Sequence, residues 1–252
     1  MNWFSGINSH NKESYLNYIK MYKVAVITAK QTTPNIKPYL IFDGEDDEHI
    51  EYLLNIGVNI IKHKVSFSKE LTDHYKEDTT ALGAFLRIDI PLICDYLKIT
   101  DDYILYTDND VLFLKDVTEL NSLTPKYFMC AGEFHPFFTP TNMNSGVMWI
   151  NWKQMLSDHN DFVTFIKNNF SNFQVYDQDA LKMYYGDKIE SLDPLYNYKP
   201  YWGDNNNIKV VHFHGPKPTF TFEQIKNFPY PQLLTPFYYE LKNRFGNIIN
   251  KI

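Results

Sequence analysis

The sequence predicts an α/β fold in which a mixed, mostly parallel sheet is flanked by helices, and three observations favour it. Short apolar runs alternate with stretches of helical spacing from the amino terminus onward. The 252 residues include 44% hydrophobic and 17% aromatic side chains, which is enough to bury one sizeable core. No repeat, Gly/Ser linker or block of like charges divides the chain. We therefore expect a single domain over residues 1–252.

The first part of the chain alternates predicted strands and helices. Apolar, β-branched runs predict the strands, and apolar residues at helical spacing predict the helices. In order, the segments are strand 3–7, helix 11–30, strand 37–44, helix 45–57, strand 58–65 and helix 79–99. Pro91 is expected to end or kink the last helix, since proline lacks the N–H that a helix interior needs.

The second part of the chain begins with YILYTDNDVLFL, residues 103–114, which predicts a strand bound for the middle of the sheet. Three further strands are predicted in KYFMCAGEF, GVMWIN and KVVHFH. A helix is predicted over 176–186, and the aromatic tail predicts another near 236–249. The tail is expected to wrap the sheet or to cover a cleft.

The composition of the chain argues against several classes of function. A net charge of −6 and a pI near 5.7 argue against nucleic-acid binding, which normally needs a basic face. Cys94 and Cys130 are too few for a disulfide framework, so we expect core thiols and a reducing compartment. The start of the chain lacks the pattern of a signal peptide, and no stretch approaches about 18 uninterrupted apolar residues. We expect a soluble, cytoplasmic protein without a transmembrane segment.

Asp108 and Asp110 stand inside the predicted strand 103–114 and would face the same side of it. Two carboxylates so close repel each other unless a cation lies between them or one is protonated. Oxygen ligands of this kind suit Mn²⁺ or Mg²⁺, which commonly bind carboxylates together with substrate phosphates. The alternative is a turn at the strand end with solvated acids, since Asp and Asn favour turns.

Three further groups carry chemistry of the same kind. In KVVHFHGPKP, His212 and His214 share one face and Lys217 follows a break, so an imidazole and an ammonium could complete a metal–phosphate site. A hydrogen-bonded structural histidine is the alternative there. In YDQDALK, Asp177 could simply cap its helix and Asp179 could gain from the helix dipole, or the helix start could present an amide and carboxylates toward a reacting substrate. The turn in MNSGVMWIN would place polar side chains at the mouth of a strand.

In this order, the four groups resemble glycosyltransferase family 8, whose members are retaining enzymes with the Rossmann-like GT-A fold. The resemblance spans roughly residues 83–218 and rests on YILYTDNDVLFLKDV, MNSGVMWINWKQM, YDQDALK with LDPLYNY, and VVHFHGPKP. It implies a nucleotide-binding half over 1–115 that ends in the Asp-x-Asp strand. Residues 116–252 would then complete the metal site and bind the acceptor, with a helical tail.

The resemblance also implies roles for individual residues. Mn²⁺, or Mg²⁺, would be bound by Asp108, Asp110 and His212. The nucleotide-sugar donor, typically UDP-linked, would be contacted by Arg87, Asn144, Ser145 and Lys217. The groups beside the anomeric carbon would be Asp177 and Gln178. His214 has no family role and is assigned to the acceptor side or to a position behind the ligands. The sequence departs from the family in having only Pro216 between Gly215 and Lys217.

The acceptor is expected to be a glycan or another hydroxyl compound, because aromatic side chains that suit sugar faces surround the predicted site. The candidates are Tyr196, Tyr198, Tyr201 and Trp202, with His135 and Phe137 as weaker ones. Packing in the core or in loops is the alternative for the tyrosines and the tryptophan.

Three other functions stay open at the level of sequence. A phosphohydrolase with an Asp nucleophile would need a phosphate-binding turn after Asp110, whereas Val111-Leu112-Phe113 is apolar. An inverting transferase would use Asp177 or Asp179 as its general base. A module that holds a nucleotide sugar or glycan without turnover would be expected to lack a metal ligand or the Asp-Gln pair.

Overall fold

The computed structural model describes residues 1–76, 78–134 and 141–252. A seven-stranded sheet has the order β3-β2-β1-β4-β7-β6-β8, and β5 and β9 form a two-stranded sheet beside it. The strands are β1 (Asn2–Asn8), β2 (Lys37–Asp43), β3 (Asn59–Lys62), β4 (Tyr103–Thr107), β5 (Val111–Phe113), β6 (Phe128–Glu133), β7 (Thr141–Asn151), β8 (Glu190–Ser191) and β9 (Val210–His212). The α-helices are α1 (Lys12–Thr32), α2 (Glu48–Asn55), α3 (Ser68–Tyr75), α4 (Thr80–Phe85), α5 (Ile90–Tyr96), α6 (Trp152–Asn169), α7 (Tyr176–Tyr185), α8 (Phe222–Lys226) and α9 (Pro236–Ile249).

The amino-terminal half of the large sheet is parallel. Strand β1 pairs in parallel with β2 and β4, and β2 pairs in parallel with β3. The connections carry helices, as parallel pairing requires. Strand β7 runs antiparallel to both β4 and β6, and β8 returns parallel to β6. The predicted α/β class with a mixed, mostly parallel sheet is therefore confirmed.

The sheet is buried on both faces, so its strands carry apolar side chains on both sides. Trp3 packs in a core with α1 and α2, whereas its neighbour Phe4 packs in the opposite core with α4 and α5. Leu40 and Ile41 divide between the same two cores. This division follows from the two-residue period of a strand. Polar side chains can therefore cluster only at the ends of the strands, and here they do so at the carboxyl ends of the parallel strands.

The prediction of one strand over 103–114 is wrong. Strand β4 ends at Thr107, and β5 belongs to the separate sheet with β9. The turn between them is held from outside, because Asp108 N donates to Gly146 O at 2.8 Å and Asn109 Nδ2 donates to Gly6 O at 2.7 Å. Asp and Asn favour such turns, and here that local preference prevails over the apolar flanks.

Three helical segments also differ from the sequence prediction. The stretch 79–99 is broken into α4, a 3-10 turn over Leu86–Asp89, and α5. Pro91 lies in the first turn of α5, where its missing N–H costs no hydrogen bond. Helices α3 and α6 lie in segments for which no helix is predicted from the sequence.

Two smaller expectations concern cysteines and membranes. Cys94 and Cys130 are both buried free thiols. Among the helices in the described ranges, none combines the length and the apolar character needed to span a bilayer.

Candidate active site

Strand pairing brings the Asp-x-Asp turn and the late histidine together. In the β5–β9 ladder Val111 lies opposite His212, and Phe213 N donates to Asp110 O at 2.9 Å. The backbone therefore fixes His212 beside Asp110, although the two residues belong to opposite halves of the chain.

Asp108, Asp110 and His212 form a cluster with the chemistry of a metal site. One ligand atom from each lies within 4.8 Å of the others. His212 Nε2 is 3.6 Å from Asp108 Oδ2 and 3.5 Å from Asp110 Oδ1. No other group of this kind occurs among residues 1–76, 78–134 and 141–252. Two carboxylates and one imidazole fit Mn²⁺ or Mg²⁺ with open positions for phosphate oxygens.

Two cations flank this cluster. Lys217 Nζ lies 2.5 Å from Asp110 Oδ2 and also donates to Phe213 O at 3.0 Å. Burial opposes ionisation of Asp110, but Lys217 and His212 together outweigh it and hold the pKa of that carboxyl well below its usual range. Burial likewise lowers the pKa of Lys217, yet Asp110 prevails and raises it to about 12. The pair therefore stays ionised around neutrality.

Arg87 connects the Asp-x-Asp turn to α7. Its Nη2 donates to Asp108 Oδ1 at 2.8 Å, and its Nε lies 3.1 Å from Asp177 Oδ2. Its Nη1 donates to Ser145 O at 2.7 Å, and its guanidinium stacks on the Tyr106 ring at 4.4 Å. Burial disfavours the charged form, but Asp108 and Asp177 together raise the pKa of Arg87 above its usual value. Arg87 is therefore a fixed positive charge behind the turn.

Asp177 and Gln178 lie at the start of α7 on the other side of Arg87. Gln178 Oε1 accepts a hydrogen bond from Ser145 N at 3.0 Å. Ser145 Oγ donates to Asp177 Oδ2 at 3.3 Å. Burial, aided by Asp108 and opposed by Arg87, raises the pKa of Asp177 to about 6. Asp179 instead accepts from Gln174 N and Val175 N, both at 2.7 Å, so its carboxylate holds the loop before the helix.

His212 rests against a glycine and a buried polar network. A Cβ on Gly146 would lie 2.2 Å from His212 Cε1, so no larger residue fits beside the ring. Lys199 Nζ and Asn197 Oδ1 lie 3.0 Å and 2.9 Å from His212 Nδ1. Burial and the neighbouring Lys199 lower the pKa of His212 to about 4. Burial also lowers the pKa of Lys199 to about 8, although the charge of Glu133 acts to raise it. The imidazole is therefore neutral at pH 7, as a metal ligand must be.

A cleft of about 290 Å³ opens at the carboxyl ends of β1 and β4. The predicted site residues that line it are Arg87, Asp108, Asp110, His212 and Lys217, and His214 joins them. Asn144, Ser145 and Asp177 are buried, and Gln178 contacts Ser145, so the structure brings the predicted metal, donor and catalytic residues into one region. Their individual roles stay predictions. His214 Nδ1 lies 2.7 Å from Glu133 Oε1 at the rim.

The predicted acceptor aromatics divide into two groups. Tyr196 and Tyr198 are buried in the cores, which matches the alternative of packing. Tyr201 and Trp202 are half-buried, and Trp202 Nε1 donates to Phe134 O at 2.7 Å. His135 and Phe137 lie outside the residues that the structure describes.

Sequence reasoning missed Asn197, Lys199 and Glu133, which support the site from inside. All three are buried, and Lys199 is fully so. In YNYKP, the alternation of tyrosines with Asn197 and Lys199 was a weak signal, since the polar pair shares one face of an extended segment. A lysine in such a pattern is normally exposed, so this signal did not indicate that Lys199 is buried.

The mixed, mostly parallel sheet with its flanking helices matches the GT-A fold of solved glycosyltransferases. The galactosyltransferase LgtC, solved with donor and acceptor sugar analogues, aligns over 100% of this chain and 96% of its own, at a TM-score of 0.68 and 16% identity. The apo form of glycosyltransferase GlyE from Streptococcus pneumoniae TIGR4 aligns over 98% of this chain and 63% of its own, at a TM-score of 0.67 and 20% identity.

Sequence comparison gives related named enzymes. Human glucoside xylosyltransferase 1 is 30% identical over 154 residues, which is 54% of this chain and 31% of that protein. GlyE of Streptococcus pneumoniae serotype 4 is 25% identical over 189 residues, which is 72% of this chain and 45% of that protein. The chain thus spans less than half the length of these two curated relatives. No protein-family model matches it.

Proposed function

We propose that this chain is a metal-dependent glycosyltransferase of the family 8 type, with one catalytic domain over residues 1–252. It would move a hexose from a nucleotide sugar, UDP-linked, to a hydroxyl of a glycan acceptor with retention of configuration. The convergence of Asp108, Asp110 and His212 beside Lys217 at the mouth of one cleft carries this proposal. The names of the relatives, which include xylosyl- and galactosyltransferases, support it.

Asp108, Asp110 and His212 would hold Mn²⁺ or Mg²⁺. When bound, the divalent ion offsets the carboxylate charge and the negative charge of a diphosphate. Lys217 would then present its ammonium to the diphosphate from the position that Asp110 fixes. Arg87 would hold Asp108 in place through the 2.8 Å contact while keeping its own charge near the donor phosphates.

Transfer breaks the bond between the anomeric carbon and the diphosphate oxygen, and the electron pair leaves with that oxygen. In front-side attack the acceptor oxygen bonds to the same face, and its proton passes to the departing phosphate oxygen. Gln178 is a poor nucleophile, which favours this course over a covalent intermediate. Since Gln178 Oε1 accepts from Ser145 N, its amide N–H groups would be the atoms that hold the sugar. Asp177 would orient the same sugar ring.

An inverting transferase is the second candidate, because burial raises the pKa of Asp177 to about 6 and a raised pKa suits a general base. Asp179 is less suited to that role, since two backbone N–H groups already occupy its carboxylate. A module that binds without turnover is the third. The cytoplasmic location stays a prediction, to which two buried free thiols add support.

Calorimetric titration of UDP, first with Mn²⁺ and then with EDTA, tests the donor site. Binding only in the presence of the metal is expected. If UDP binds in neither condition, and GDP and CDP do not bind either, the proposal is refuted. Turnover is then tested with UDP-glucose, UDP-galactose and UDP-xylose. The anomeric configuration of the product, measured by NMR, separates retention from inversion, and absence of any transfer or donor hydrolysis would favour the non-catalytic module.

A further inference from the structure

The side of His212 that faces away from the two acids contacts a buried polar network. Its Nδ1 lies 2.9 Å from Asn197 Oδ1 and 3.0 Å from Lys199 Nζ. An imidazole that binds a metal through Nε2 needs its proton on Nδ1 and an acceptor for that proton. Lysine ammonium is a donor only, so it cannot serve as that acceptor. The question is therefore which way the Asn197 amide points.

The orientation of Asn197 is fixed by its neighbour Asn144. Asn144 Nδ2 donates to Glu133 Oε2 at 2.9 Å, and a carboxylate can only accept. Asn144 Oδ1 must therefore be the acceptor on the other side, where Gly146 N donates to it at 3.2 Å and Lys199 Nζ at 3.1 Å. The network leaves one consistent assignment for the Asn144 amide.

The orientation of the Asn197 amide follows from that of Asn144. Its Nδ2 donates to Asn144 Oδ1 at 2.8 Å, so its Oδ1 faces Lys199 and His212. Lys199 Nζ donates to that oxygen at 2.9 Å. Asn197 Oδ1 is thus the carbonyl-type acceptor within reach of His212 Nδ1 in this network, which is buried throughout.

We propose that Asn197 is a positioning residue that accepts the Nδ1 proton of His212 and so leaves the Nε2 lone pair facing Asp108 and Asp110. This inference rests on the proposed metal site. Lys199 acts in the opposite sense, because an ammonium that donates to Nδ1 directs the imidazole proton to Nε2. The chain of contacts from Glu133 through Asn144 turns the Asn197 oxygen toward His212 and so favours, against Lys199, the tautomer that can bind a metal.

Three variants test the proposal by Mn²⁺ titration in the presence of UDP. Asn197→Leu removes the acceptor at similar volume and is expected to weaken Mn²⁺ binding about 10- to 100-fold, the usual effect of losing such a partner. Lys199→Met disturbs the same buried network but keeps the acceptor, and it is expected to bind Mn²⁺ at least as tightly as the wild type. Asn197→Asp keeps an acceptor and is expected to bind more tightly than Asn197→Leu.

NMR provides a readout that packing damage would not move. In the diamagnetic Mg²⁺–UDP complex, two-bond ¹H–¹⁵N correlations should show the His212 proton on Nδ1. In Asn197→Asp that proton should shift downfield, because a charged acceptor makes a stronger hydrogen bond. An unchanged resonance would mean that Nδ1–H donates elsewhere and would overturn the proposal. This test uses the wild type and the conservative variant, so it holds even if Asn197→Leu fails to fold.

The outcomes separate this inference from the proposed function. Wild-type protein that binds neither Mn²⁺ nor Mg²⁺ with UDP overturns both. Wild-type protein that binds, with Asn197→Leu binding equally well, overturns only the role of Asn197. Equal losses in Asn197→Leu and Lys199→Met would assign the effect to packing and would also overturn it.

Discussion

Replacement of Gly146 by alanine is the most direct test of how closely the structure fits His212 into the site. The added Cβ would lie 2.2 Å from His212 Cε1 and 2.5 Å from Nδ1. Carbon atoms in contact normally lie about 3.5–4.0 Å apart. The imidazole must therefore move by more than about 1 Å, unless strand β7 moves instead. The φ angle of Gly146 is not positive, so alanine adds no backbone strain and the effect is steric.

A displacement of this size exceeds what a binding site tolerates, since such groups must be held within about 0.5 Å. We expect Gly146→Ala to weaken Mn²⁺-dependent UDP binding at least about tenfold, as loss of support to a ligand does. Overpacking should also lower the free energy of unfolding by about 1–3 kcal/mol. Calorimetric titration measures the first effect, and urea denaturation without metal measures the second.

Gly246→Ala is the matched control. Gly246 lies in α9, and a Cβ there would meet nothing within 4 Å. Alanine is the better helix former by about 1 kcal/mol, so this variant should be as stable as the wild type or more so. It should bind Mn²⁺ and UDP normally. Gly146→Ala protein that also binds with wild-type affinity would show that His212 is not placed as the structure indicates.

Three further perturbations test other parts of the structure. Asp110→Asn should abolish metal-dependent UDP binding. It should also lower the free energy of unfolding by about 1–3 kcal/mol in urea denaturation, because Lys217 loses its carboxylate partner. A variant more stable than the wild type would contradict the ion pair. Gln178→Ala should lower kcat and leave the affinity for UDP unchanged, measured by steady-state kinetics beside calorimetry; equal loss of both would place Gln178 on the nucleotide. Asp89 is buried and accepts from His63, His159 and Ser66, which outweigh burial and hold its pKa below the usual range. Asp89→Asn should therefore lower the free energy of unfolding by its full amount above about pH 4. Below that pH the carboxyl of the unfolded wild-type chain binds a proton that the folded one still resists, so the difference between the two proteins should narrow; denaturation at pH 7 and pH 3 checks this.

The strands of the parallel half were predictable because their residues carry the signal locally. The runs around Trp3, Leu40 and Leu105 are apolar on both faces, as a sheet covered on both sides requires. Helix α6 carried a signal that the sequence prediction passed over. Its buried residues are Trp152, Met155, His159, Phe162 and Ile166, at alternating spacings of three and four. The residues between them are mostly polar, so the helical spacing of the buried residues was not recognised.

The Asp-x-Asp turn is a place where secondary structure could not be predicted from the local sequence. The residues on both sides of Asp108 and Asp110 favour a strand, but the bend is fixed by hydrogen bonds to Gly6 and Gly146, which are distant in sequence. The cluster of Asp108, Asp110 and His212 could still be predicted, because paired acids and a late histidine matched a known order of motifs; its role as a metal site stays a prediction. Asn197 and Lys199 could not be, since their burial depends on contacts that only the folded chain makes.

The pairing of β5 with β9 has a consequence for how the protein is made. Asp110 and its partner Lys217 are 107 residues apart, and His212 reaches the turn only when β9 docks. A chain still emerging from the ribosome, or a fragment that ends before β9, has two acids side by side and no third ligand. A divalent ion that bridges both segments would stabilise only the closed chain, by mass action. The proposed metal site therefore forms only in molecules in which the segment that carries β9 has already docked on β5.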